Sequence, residues 1–227
     1  MRMRGSSACR HRVRPLAGLV MGAAGVLGPV LLAGCASSAP PRAAPSAAPT
    51  PIADLRTQTM RLPRIDFCSL VPTRAVGDAL GGRAQARQTW GNGDRLALPG
   101  VEDTVAETGC AWSRSPTTGT TTATTTARAW VFARPVEQAD AAAVVARAGA
   151  VRGCRVPAGP AYGAPTVTQV CSSPAAGLTA GEQRVRHAGL FGTTWLTCEV
   201  QGPASGTLRS RADAWCVEVA NALDTTR

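Results

Sequence analysis

Apolar residues at helical spacing predict three helices in the second and larger part of the chain. The first is predicted from five such residues, which are Val71, Ala75, Val76, Ala79 and Leu80. The second opens at Pro135 and closes at Gly149. The last has the clearest stripe, formed by Leu208, Ala212, Trp215, Val219 and Leu223. These helices separate segments with a different period.

Between the helices, side chains alternate in the manner of strands. Cys110 and Trp112 belong to one alternating run, and the run from Thr124 to Ala133 is the next, so we expect a hairpin with a long threonine-rich loop. Three further strands are predicted at residues 166–171, 184–190 and 193–200. In the last of these, Leu196, Cys198 and Val200 face one side, and Trp195, Thr197 and Glu199 face the other.

The predicted order is αββαβββα, which indicates an α+β domain with an antiparallel sheet and flanking helices. Alternation between apolar and polar faces is typical of such a sheet when only one face is fully covered. We expect this domain to occupy residues 65–227.

The first 34 residues have the features of an export signal. Five arginines within residues 1–14 precede an apolar run over residues 16–32, which has about the length of a signal-peptide apolar region and lacks the flanks of a settled spanning helix. The run ends in Leu32-Ala33-Gly34-Cys35, which resembles the lipobox of bacterial lipoproteins. That resemblance implies cleavage after residue 34, lipidation of Cys35, and a protein held by its acyl chains on the extracytoplasmic face of the plasma membrane.

Residues 35–64 are rich in Ala, Pro, Ser and Thr and show no apolar period, so we interpret them as a tether between the lipid and the domain. The formal net charge of the whole chain is +10, but much of it lies in the leader and the tether. Residues 65–227 hold 15 Arg against 13 acidic residues. A domain so close to neutral argues against a nucleic-acid partner.

Six cysteines remain once the leader and Cys35 are set aside, and export favours their pairing as disulfides. Counting alone allows 15 connectivities. We expect three sequential pairs because each would join neighbouring predicted elements; they are Cys68 with Cys110, Cys154 with Cys171, and Cys198 with Cys216. The wide spacings argue against a zinc site, so no metal or other cofactor is predicted.

The sequence offers little catalytic chemistry, and no catalytic residue is assigned. Mature residues include one histidine, His187, and no Gly-x-Ser-x-Gly motif. An acidic cluster that includes Glu102 is more typical of a solvated surface, but a hydrolase that uses carboxylates remains the alternative. Trp90, in an apparently polar loop, Trp195 and His187 are the candidate ligand-binding residues, although His187 and Trp195 also suit structural roles.

Three short motifs carry a second resemblance. Asp66-Phe67-Cys68-Ser69-Leu70-Val71, then Leu80-Gly81, then Cys110-Ala111-Trp112 resemble a broad family of uncharacterised actinobacterial lipoproteins with Cys-Ser-Leu-Leu and Cys-x-Trp motifs. That family is similar in pattern to the extracellular sensor domains of mycobacterial serine/threonine kinases. The resemblance implies an antiparallel sheet with flanking helices, disulfides and a ligand groove.

Together these observations predict a membrane-anchored lipoprotein whose domain binds a small ligand or another envelope protein. If it binds a ligand, we expect the groove to lie between the sheet and a helix.

Overall fold

The structure, a computed structural model, describes residues 50–95, 104–118, 121–173, 175 and 177–226. The predicted signal peptide at 1–34, the predicted lipidation site Cys35 and the acidic residue Glu102 lie outside the described residues. None of the helices in the described part of the chain is long and apolar enough to cross a membrane.

A seven-stranded antiparallel sheet forms the centre of the domain, in the spatial order β1-β2-β5-β9-β8-β7-β6. A separate two-residue pair, β3 with β4, lies in the threonine-rich loop. The strands are β1 Ala86–Trp90, β2 Glu107–Arg114, β3 Thr117–Thr118, β4 Thr121–Thr122, β5 Thr125–Phe132, β6 Cys154–Arg155, β7 Thr166–Ser172, β8 Glu182–Phe191 and β9 Thr194–Pro203.

Three helices cover the sheet unequally. Helices α1 (Thr73–Leu80) and α3 (Leu208–Leu223) pack on one face, here called the helical face, and bury its core. Helix α2 (Gln138–Ala148) lies on the opposite face, where it packs against β7 and β8. Because α2 leaves β1, β2 and much of β5 uncovered on its side, we call that side the groove face.

The predicted antiparallel sheet with flanking helices is present, in roughly the predicted order of elements. The domain has more sheet than a balanced α+β fold. One of the additional strands is β1, which pairs with β2 along five residues at the edge of the sheet. Most of its residues are exposed, so its sequence lacks the alternating apolar positions that predict a strand and suggests a polar loop around Trp90 instead.

Residues 50–64, which were assigned to the tether, belong to the folded domain. A short 3-10 helix at Ile52–Asp54 is followed by a segment whose apolar side chains enter the core of the helical face. Four of these residues are buried, namely Ile52, Leu55, Met60 and Leu62. The backbone of Arg61 is also hydrogen-bonded to Thr225 and to the Asp224 carboxylate just after α3. These contacts correct the predicted domain start at residue 65.

Three disulfides join the pairs expected from the sequence. Cys68 is bonded to Cys110, linking the segment before α1 to β2. The remaining two are Cys154–Cys171, between β6 and β7, and Cys198–Cys216, between β9 and α3. The sequential connectivity is therefore confirmed.

A glycine allows a connecting loop to cross the sheet closely. A Cβ atom on Gly189 of β8 would lie 1.5 Å from the carbonyl oxygen of Tyr162. Any other residue there would displace the loop that places Tyr162 in the core, where its hydroxyl donates to the carbonyl oxygen of Cys216 at 2.9 Å.

Candidate binding groove

A groove of about 290 Å³ lies on the groove face between helix α2 and strands β5, β7, β8 and β9. Its volume is close to the lower limit of ~300 Å³ for small-molecule pockets. Two kinds of side chain line it, an apolar floor and a basic side, and they are positioned by different elements.

The apolar floor comes from strand residues that point toward α2. Trp195, Val167 and Ala188 are buried there, and Val144 of α2 packs against them from above. Gln169 donates a hydrogen bond from its side-chain nitrogen to the carbonyl oxygen of Ala148 at 2.8 Å, which attaches the end of α2 to β7. The position of the helix over the floor is therefore held by both packing and a side-chain hydrogen bond.

The basic side is organised by one buried carboxylate. Glu199 on β9 is only 1% exposed, and three arginines surround it. Arg186 approaches most closely, with Nη2 at 2.7 Å and Nε at 2.9 Å from Oε2. Arg184 Nε lies 3.8 Å from the same oxygen, and Arg128 Nη1 lies 3.5 Å from Oε1. We call these four residues the arginine cluster.

Strand register explains why these residues meet. Arg186 is directly opposite Glu199 in the β8–β9 pair, and Arg128 is directly opposite Glu199 in the β5–β9 pair. Arg184 is two residues before Arg186 on β8, so its side chain leaves the same face of the sheet. A buried carboxylate needs such partners, because an isolated charge in the protein interior is costly.

The cluster has more cationic than anionic groups. Burial lowers the pKa of Arg184, an effect that Glu199 opposes and the neighbouring Arg186 and Arg128 reinforce. Arg147 of α2 lines the same groove from the other side. One carboxylate therefore faces several guanidinium groups at the basic side.

Aromatic residues extend the cluster toward the edge of the sheet. The Arg186 guanidinium lies over the Trp130 ring at 5.3 Å from its centroid, a cation–π geometry. Beyond it, Trp90 donates from Nε1 to Glu107 Oε1 at 3.1 Å. Burial raises the pKa of Glu107, although its hydrogen bond from Trp90 and the charge of Arg186 act in the opposite direction.

His187 is not part of this groove. It lies on the helical face, is 1% exposed, and its Nδ1 is 2.9 Å from Thr168 Oγ1. Its Nε2 lies 2.7 Å from Asp213 Oδ1 on α3. A histidine beside a carboxylate and a hydroxyl has the residue types of a hydrolytic triad, but Thr168 is itself buried, so a substrate bond could not reach its oxygen. His187 is therefore buried on the face of the sheet opposite the groove, where its contacts suit a structural role.

The two tryptophan candidates are also placed differently from each other. Trp195 lines the groove but is only 1% exposed, so it belongs to the packed floor. Trp90 ends β1 and is half-buried beside Glu107, so it is not the loop residue expected from the sequence. The residues that reasoning from the sequence missed are Arg184, Arg186, Glu199 and Arg147.

Within the described ranges, no group of three or more His, Cys, Asp or Glu side chains is arranged to hold a metal ion. The alternative based on Glu102 falls outside those ranges. Comparison of the chain with protein-family models finds no match, and comparison with curated proteins finds none either.

Proposed function

We propose that this chain is an extracytoplasmic binding module, anchored to the plasma membrane through a lipidated Cys35, and that the groove between α2 and the sheet is its binding site. The observation that carries the proposal is the lining of that groove, in which an apolar floor and cationic side chains face the same small space. Such a combination of apolar walls with a few convergent polar groups is typical of ligand sites.

The anchor and the export of the chain are supported by the leader and the lipobox-like segment of the sequence. Disulfides at three positions suit the oxidising compartment that export would reach. A tether before the domain would let the groove stand away from the membrane and meet a ligand of the cell envelope.

Site-specific photocrosslinking in the native host tests the binding site. A benzophenone amino acid at Val151, which lines the groove and is 41% exposed, should capture a bound molecule. The matched control carries the same group at Ile65, which is exposed at 48% and does not line the groove. We expect a small-molecule adduct at position 151 only. No adduct there, or equal labelling at both positions, would contradict the groove as the binding site.

The anchor needs its own test. Replacing Cys35 with Ala should leave an uncleaved precursor that lacks the acyl mass of the mature protein, as measured by intact-mass spectrometry of the membrane fraction. Normal cleavage of the variant would refute lipidation at this position.

A further inference from the structure

The chemistry of the groove points to a particular class of ligand. Resting on the proposed function, we infer that the groove binds a single-chain amphiphile with a phosphate-monoester head, which contacts the arginines while its chain contacts the partly exposed apolar side chains of the groove.

The charges at the basic side favour an anionic head. Arg128, Arg184 and Arg186 surround Glu199, so guanidinium groups outnumber the buried carboxylate that they contact. Across the groove α2 contributes Arg147, and near Arg186 the carboxyl of Glu107 offsets one charge. A phosphate monoester carries about −1.5 to −2 charges at pH 7 and would balance this excess.

Arg186 is held in place before any ligand binds. Glu199 already fixes the position of Arg186 through two contacts, so its guanidinium loses little freedom when a ligand arrives. Arg184 is only 12% exposed, which means that a ligand head would meet it in a poorly solvated site. Charge-assisted hydrogen bonds from arginine to phosphate are strong and are favoured by such pre-organisation.

Beside the arginines, the groove is also lined by apolar side chains that are not fully buried. Phe132 and Val144 are half-buried and Val151 is 41% exposed, and they lie over the packed floor that includes Trp195. At about 290 Å³, the groove suits one short alkyl chain and is small for two. A free phosphate ion would leave this surface without a partner, whereas an alcohol or a cationic amphiphile would leave the charge excess uncompensated.

Calorimetric titration with octyl phosphate tests the inference. The protein is the full-length chain with Cys35→Ser, so that no covalently attached lipid competes with the probe. We expect octyl phosphate to bind at least about tenfold more tightly than octanol, octyltrimethylammonium or inorganic phosphate, because only octyl phosphate combines a charge-assisted contact with apolar burial. The affinity of octanoate, which carries a single negative charge, should lie between those of octyl phosphate and octanol.

Two matched pairs of variants locate the head and the chain. Arg147→Gln removes an exposed groove arginine, and Arg152→Gln removes an exposed arginine that does not line the groove. Val144→Gln makes part of the apolar lining polar, and Ala143→Gln changes an exposed neighbour on α2. Only the first member of each pair should weaken octyl phosphate binding, by about tenfold for the arginine.

The inference is overturned if the neutral or cationic amphiphile binds as tightly as octyl phosphate, or if both members of each pair behave alike. If octyl phosphate fails to bind while the benzophenone at Val151 still captures a small molecule, the binding site stands and the ligand class is wrong. If both experiments fail, the proposed function falls with the inference.

Discussion

The two faces of the sheet are built from the same strands but have opposite chemistry. On the helical face, α1 and α3 bury a continuous apolar core that includes two of the three disulfides. On the groove face, α2 covers only one side, and a buried carboxylate with three arginines takes the place of an apolar centre. The helical face therefore supplies most of the stability, which leaves the groove face free to hold an excess of positive charge.

The largest expected effect is on stability, and it differs between two tryptophans that lie on opposite faces of the sheet. Trp215 is 1% exposed, donates from Nε1 to the Arg128 carbonyl oxygen, and packs edge-on against Trp112. Trp215→Ala should lower the free energy of unfolding by about 4 kcal/mol, because a large buried side chain leaves a cavity. Trp130→Ala on the groove face should cost about 1 kcal/mol, since that ring is only half-buried. Urea unfolding measures both, and equal losses would contradict the division of roles.

Disulfide removal should have the next largest effect. Replacing Cys198 and Cys216 together by Ala should cost about 3 kcal/mol of loop-closure entropy, given a sequence separation of 18. The same replacement of Cys154 and Cys171 releases a similar loop of 17 residues, but Cys154 lies half-buried at the sheet edge. The variant that lacks Cys198 and Cys216 should therefore have the lower urea midpoint of the two, because loss of that buried disulfide also leaves a cavity. The reverse order would place the main stabilising bond at the edge.

Glu199→Gln should change the stability of the fold and the affinity of the groove in opposite directions. The amide keeps the shape of the side chain but removes the negative charge that the three guanidinium groups contact. We therefore expect the free energy of unfolding to fall by about 2 kcal/mol. Solvent around the partly exposed Arg128 and Arg186 keeps this loss from being larger. The affinity for octyl phosphate should rise, because the charge excess grows. Unfolding and calorimetry on one sample measure both, and a parallel fall in affinity would indicate that Glu199 only positions the arginines.

The smallest expected effect is a pH dependence of stability that arises from Glu107. Because burial raises its pKa above the ordinary value of 4.5, the folded state binds the proton more tightly than the unfolded state. Its contribution to stability therefore declines as the pH rises from about 4.5 through the raised pKa. Glu107→Gln, which keeps an acceptor for Trp90, should raise stability at pH 7 by less than about 1 kcal/mol. Thermal unfolding at pH 4 and pH 7 checks this, and an equal gain at both values would refute it.

Much of the fold could be predicted because several elements carry strong periodic signals. The stripe that includes Leu208 and Trp215 predicts α3, and the alternation around Cys198 predicts β9. The β1 strand and residues 50–64 were missed for a shared reason, namely that neither has a local period. Their structure comes from pairing with β2 and from packing beneath the helices, which are tertiary effects.

The site was less predictable than the fold. The sequence places Glu199 on the face opposite Cys198, but it does not say which strands flank β9. Arg128 precedes Glu199 by 71 residues and meets it only because β5 is a neighbour of β9. The nearly neutral net charge of the domain also gave no sign of the arginine cluster, because a net charge is a sum over the whole domain and does not report where cations are concentrated.

The most direct test of the central claim follows the indole N–H signals of the five tryptophans by NMR during titration with octyl phosphate. Trp195 and Trp130 line the groove, whereas Trp112 and Trp215 pack together on the helical face. We expect the signals of Trp195 and Trp130 to shift with one binding curve, while those of Trp112 and Trp215 stay in place. Shifts confined to Trp112 and Trp215, or spread equally over both faces, would contradict binding in the groove.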